Sequence, residues 1–79
     1  MAEKELCAQL RQQIETDRCE HMQLAKRERK LRLEIMFESP LDDEKVKEIG
    51  VCMARRLELE REIRDAERKV RNLNAWLAQ

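Results

Sequence analysis

The stretch Phe37-Glu38-Ser39-Pro40-Leu41-Asp42-Asp43 decides how this chain folds. It holds the only proline and lies at the middle of 79 residues. Pro40 has no backbone N–H, and its ring would clash with the carbonyl four residues back, so a helix arriving from the N-terminal side stops before it. It pushes Ser39 out of the helical region, yet it is well suited to start a new helix. Two N-caps fit. Ser39 caps with Asp42 three positions on, or Asp42 caps with Leu41 packed on Val46. Either way Asp42, Asp43 and Glu44 sit where the helix dipole favours negative charge. Ser39-Pro40 also has the form of a proline-directed phosphorylation site, so Ser39 is a candidate modification site as well as a candidate cap.

On both sides of this stretch the chain is built from Leu, Glu, Lys, Gln and Arg, all good helix formers. The expected architecture is all-α: one antiparallel coiled-coil hairpin over residues 1–79, with helices over about 3–36 and 43–77 and a turn over 37–42. Arms of about 35 residues make it roughly 50 Å long. If Pro40 only kinks a continuous helix, the alternative is an extended dimer.

Each arm carries a seam at alternating steps of three and four. In the first arm it runs Cys7, Leu10, Ile14, Asp17, His21, Leu24, Glu28, Leu31, Ile35. In the second it runs Ile49, Cys52, Arg56, Leu59, Ile63, Ala66, Val70, Leu73, Leu77. Folding back near residue 40 brings the seams into register, with Ile49 opposite Leu31, Leu59 opposite His21, Ala66 opposite Ile14 and Leu73 opposite Cys7. Arg56 then falls one turn from Glu28, which predicts an interhelical salt bridge that fixes register more than it adds stability. Within the helices, Glu28–Arg32, Glu60–Arg64, Asp65–Lys69 and Glu67–Arg71 have the spacing of i,i+4 ion pairs. Gly50 is the expected weak point of the second arm.

Composition narrows the function. Charged residues make up 43% of the chain and aromatics 3%, the profile of long exposed helices. Seventeen basic and seventeen acidic residues cancel, so no general attraction to nucleic acid is expected. No apolar run approaches the ~18 residues of a membrane span, and membrane contact is not expected. Cys7, Cys19 and Cys52 cannot all pair within one chain and contain no Cys-x-x-Cys spacing, which suits free thiols in the cytoplasm. Cys19, His21 and Cys52 invite a metal reading, but the predicted register holds Cys52 about two turns from His21, too far for one ion. No metal, cofactor or catalytic residue is expected. His21 near Asp17 is a candidate for titration near neutral pH.

What remains is surface. Lys26, Arg27, Arg29, Lys30 and Arg32 form a basic run, either a solvated face or a site for an acidic protein surface or lipid headgroups. Leu33, Met36, Phe37, Met53, Leu57 and Trp76 are apolar and not all absorbed by the seams, so they are candidate partner contacts. For Phe37 and Trp76 the competing reading is that they close the two ends of the hairpin.

The end of the second arm, Ile63-Arg64-Asp65-Ala66-Glu67-Arg68-Lys69-Val70-Arg71-Asn72-Leu73-Asn74-Ala75-Trp76-Leu77-Ala78, resembles that of Rho effector homology region one (REM-type) domains, above all those of F-BAR membrane-remodelling adaptors. The loop departs from the Met-Gly-Asp element of the F-BAR type. The resemblance implies an antiparallel coiled-coil finger that binds a Rho-family small GTPase in its GTP-bound form, with Ala75, Trp76 and Leu77 packing rather than contacting the partner. The alternative role is self-association, as a homodimer or four-helix assembly within a scaffold or cytoskeletal protein.

Overall fold

The computed structural model describes residues 2–38 and 42–78. It is an all-α hairpin of two helices, α1 (Ala2–Glu38) and α2 (Asp43–Leu77), packed side by side over a long axis of 60 Å. The first helix runs further than its sequence suggests. Phe37 and Glu38 belong to α1, and Asp43 opens α2. Those extra helical residues contribute to a rod longer than the expected 50 Å. Helix former follows helix former up to Glu38, and nothing before Ser39 carries the backbone restriction that Pro40 imposes on its neighbour.

Of the two caps, Asp42 is the one observed. It has extended backbone angles (φ −96°, ψ 107°), its carboxylate accepts the Glu44 N–H at 3.0 Å, and its carbonyl accepts the Val46 N–H at 3.1 Å. Asp43 and Glu44 fill the first turn, where the unpaired N–H groups favour negative charge. The Ser39 cap, the Ser39 modification site and the Leu41 staple lie outside the described residues.

The seams pack against each other. From Cys7 to Ile35 and from Ile49 to Leu73 every seam position is buried or half-buried, with Leu59 wholly enclosed. Leu77 is the exception; it is exposed at the open end. Side-chain contacts fix an antiparallel register. Lys45 reaches Glu34 near the turn at 3.4 Å, His21 Nε2 lies 3.0 Å from Glu60, and Cys7 Sγ lies 3.9 Å from Asn74 at the open end. The residue numbers in such pairs add to about 80.

With the seam as heptad positions a and d, an antiparallel pair sets e against e on one flank and g against g on the other. Arg18–Glu67 (2.7 Å) is an e–e pair, while Arg55–Glu20 (2.7 Å) and Arg27–Glu48 are g–g pairs. Exposed pairs of this kind add little stability, but their positions agree with the apolar register.

Candidate functional site

Two polar groups are buried in the seam, with opposite outcomes. Glu28, 6% exposed, is fully used. Its Oε2 accepts from Arg56 Nη1 at 2.6 Å across the interface, and its Oε1 accepts from Arg32 Nη2 at 2.8 Å within α1. The Arg56 hydrogen bond holds the Glu28 carboxyl below the usual carboxylate range. Asp17, 3% exposed, is not. Its Oδ1 accepts from Gln13 at 2.9 Å, while the buried Oδ2 has no hydrogen-bond partner. The Nε of Arg56 is likewise buried and unpartnered.

Several local pairings differ from the spacing-based expectation. His21 turns to Glu60 on α2 instead of Asp17, although one Asp17 oxygen is left without a partner. Glu60 is thereby drawn away from Arg64, whose Nε instead donates to the Glu60 backbone carbonyl at 3.4 Å. Glu67 goes to Arg18 across the hairpin and not to Arg71. A cross-helix partner wins in each case because the opposing helix presents it at the flank of the seam, whereas an i,i+4 pair must hold two long side chains along open surface. Glu28–Arg32 and Asp65–Lys69 (3.2 Å) form at the expected spacing. Among the described residues, no cluster of His, Cys, Asp and Glu is arranged to hold a metal ion, and no helix is long and apolar enough to cross a membrane.

The heptad positions divide the exterior into two broad faces. One carries positions e and b of both helices, the other g and c, with f at the outer edge. The e/b face bears Met22, Met36, Val46, Met53 and Leu57, all exposed, with Leu33 at its edge. Its middle is contiguous. Arg32 Nη2 lies 3.7 Å from Met53 Sδ, joining the helices. Ala25, Arg29, Arg32 and Leu33 line one shallow depression with the Glu28–Arg56 pair, and Met53, Leu57 and Glu60 line the next, also with Arg56. Arg18, Arg29, Arg32, Arg64 and Arg71 make this face predominantly basic.

The g/c face is the reverse. Arg55 sits among Glu20, Glu58 (3.1 Å) and Glu62 (3.6 Å), and Asp65 lies beside Arg68 and Lys69. The Arg55 hydrogen bond lowers the Glu20 carboxyl below its usual range, and Arg55 is itself raised. Lys69 and then Arg68 do the same for Asp65. A net charge of zero therefore conceals segregated charge, basic and apolar on one side and acidic on the other.

The predicted contact residues do not form one site. Leu33, Met36, Met53 and Leu57 converge on the e/b face or its edge, with Arg29 among them. Arg27 is taken by Glu48 on the g/c flank, while Lys26 and Lys30 project separately, at f and c positions. Phe37 (78% exposed) and Trp76 (65% exposed) stand at opposite ends of the rod and close neither end. Two helices leave a rim too thin to cover a large side chain there. Ala75, Trp76 and Leu77, for which the resemblance implies packing, are all exposed. The exposed Met22, Val46 and Val51 were not among the contact residues expected from the sequence; reading the heptad beyond a and d finds the first two on the e/b face and Val51 on the g/c face.

No protein-family model, curated protein or solved structure matches the chain.

Proposed function

We propose that this hairpin is a non-catalytic protein-interaction module, with a Rho-family small GTPase in its GTP-bound state as the leading partner. The observation that supports binding is the e/b face. The seam already closes the core, yet Leu33, Met53 and Leu57 remain exposed beside Arg29 and Arg32 on a continuous surface. Apolar anchors with charged surroundings are what helical recognition surfaces present to protein partners. The GTPase assignment rests on the resemblance of the Ile63–Ala78 segment to REM-type fingers. Free thiols at the buried Cys7 and Cys52 and the exposed Cys19 accord with a cytoplasmic setting. The test is a binding panel of Rho-family proteins loaded with GDP or a non-hydrolysable GTP analogue. Selective capture of the GTP form supports the assignment, and equal or absent binding across the panel refutes it.

One observation favours a second reading, self-association. Leu6, Trp76 and Leu77 are exposed together at the open end, away from the e/b face. A homodimer or four-helix assembly would cover them. Light scattering separates the readings, because an isolated binding finger is a monomer.

A further inference from the structure

We infer that the e/b face takes one amphipathic helix with acidic flanks, seated along the groove between α1 and α2. The inference rests on the protein-interaction reading but not on the identity of the GTPase.

The groove has the form of an unused seam. On α2, Val46, Gly50, Met53 and Leu57 follow steps of four, three and four, the same alternation that builds the core, but turned to solvent. They span about three helical turns, roughly 16 Å. Met22 and Ala25 on α1 face the same groove. Gly50 lies inside this stripe, and a Cβ built on it would meet nothing within 4 Å. No neighbour in the hairpin requires a glycine there. Its missing side chain leaves room for another backbone to approach the stripe closely.

Charge selects the occupant. Arg29 has no acidic partner among the described residues, and Arg32 spans Glu28 and Met53 at the rim. Lys47 and Arg64 border the α2 side, also without a carboxylate partner among the described residues. A helix with a leucine-type stripe and glutamates beside it satisfies both the apolar floor and these walls. A second copy docked face to face would set arginine walls against each other, a repulsive arrangement. An anionic membrane suits the basic rim less well. The aromatic residues, Phe37 and Trp76, lie away from this face, and a flat membrane would also meet Glu60 and Glu67, which lie past the 46–57 stripe that the helix occupies.

The test uses two synthetic 18-residue helical peptides with leucine at a and d positions, one with glutamate at the flanks and one with lysine. Each is titrated into the isotopically labelled chain while its amide signals are followed by NMR. The expected result is at least tenfold tighter binding of the glutamate peptide, with shifts confined to the e/b positions of residues 22–36 and 46–57. Binding should weaken several-fold between 0.05 and 0.3 M salt. Leu57→Glu, at a position 55% exposed, should abolish binding while leaving the circular dichroism spectrum unchanged. Equal binding of the lysine peptide, shifts mapping to the g/c face, no binding, or preference for phosphatidylserine vesicles over the glutamate peptide overturns the inference. Running the GTPase panel alongside separates the two claims. A bound peptide with no bound GTPase removes the GTPase assignment alone. A GTPase whose capture survives Leu57→Glu, with no peptide bound, removes this inference alone.

Discussion

Replacing Asp17 by leucine should stabilise the hairpin. The side chain is 3% exposed, between Ile14 and His21 in the α1 seam and level with Ile63 and Ala66 of α2. Only one of its oxygens is hydrogen-bonded, to Gln13 on its own helix. Leaving a buried polar atom unsatisfied costs about 1–3 kcal/mol, and burying a leucine in its place contributes about 1.5–3 kcal/mol. Against these stand the lost Gln13 hydrogen bond, about 1 kcal/mol, and imperfect fit of the larger side chain, about 1 kcal/mol. The net expectation for Asp17→Leu is a gain of about 2 kcal/mol, or roughly 10 °C in Tm for a chain of this size. Thermal and urea denaturation followed by circular dichroism at 222 nm measure it, with light scattering to confirm that the oligomeric state is unchanged. Asp17→Asn, which removes the charge but not the polarity, should gain less than half as much. A loss of more than about 1 kcal/mol in Asp17→Leu would refute the reasoning. It would mean that the buried oxygen is satisfied in solution or that the carboxylate is needed to hold the register.

Arg56→Ala should cost about 2 kcal/mol, because Glu28 then keeps only Arg32, and the Glu28→Leu, Arg56→Leu double variant should recover that loss; a double-mutant cycle in urea measures both. Gly50→Ala should stabilise α2 by about 0.5–1 kcal/mol, since the added Cβ meets nothing in the hairpin and the unfolded chain loses freedom, and the Tm reports it. Stability should fall in acid. Glu20, Glu28 and Asp65 all have depressed carboxyl pKa values in the folded state, so their contribution is complete above the ordinary carboxylate range, about pH 4–5, and is lost as pH drops through the lowered folded values. Urea midpoints between pH 7 and pH 2.5 should show this decline, and removing Glu28 should reduce its size.

Much of the fold is legible in the sequence for an identifiable reason. Pro40 sets where a helix must end, and two seams of constant period share one register, so the pairing of Ile49 with Leu31 or Ala66 with Ile14 requires no knowledge of distant contacts. The Glu28–Arg56 pair follows from that register because both residues sit on the seam. The flanks are harder to read. His21 has Asp17 as its helical neighbour by spacing, but it pairs with Glu60 across the hairpin. Arg64 and Arg71 lose their expected partners to residues on the other helix in the same way. The candidate surface is only partly legible. A list of apolar residues outside the seam combines Leu33, Met53 and Leu57, which share one face, with Phe37 and Trp76, which stand at opposite ends. Only the heptad positions beyond a and d separate them, and only those positions show that the balanced charge is divided between two faces.

Light scattering combined with small-angle X-ray scattering tests the central claim most directly, that a folded-back hairpin leaves one face free for a partner. The account predicts a monomer of 9.5 kDa whose long dimension matches the 60 Å rod, with the side chains adding a few ångströms at each end. A particle near twice that length would show that Pro40 only kinks a continuous helix, and a dimer whose interface buries Met53 and Leu57 would show that the face is already occupied by a second copy.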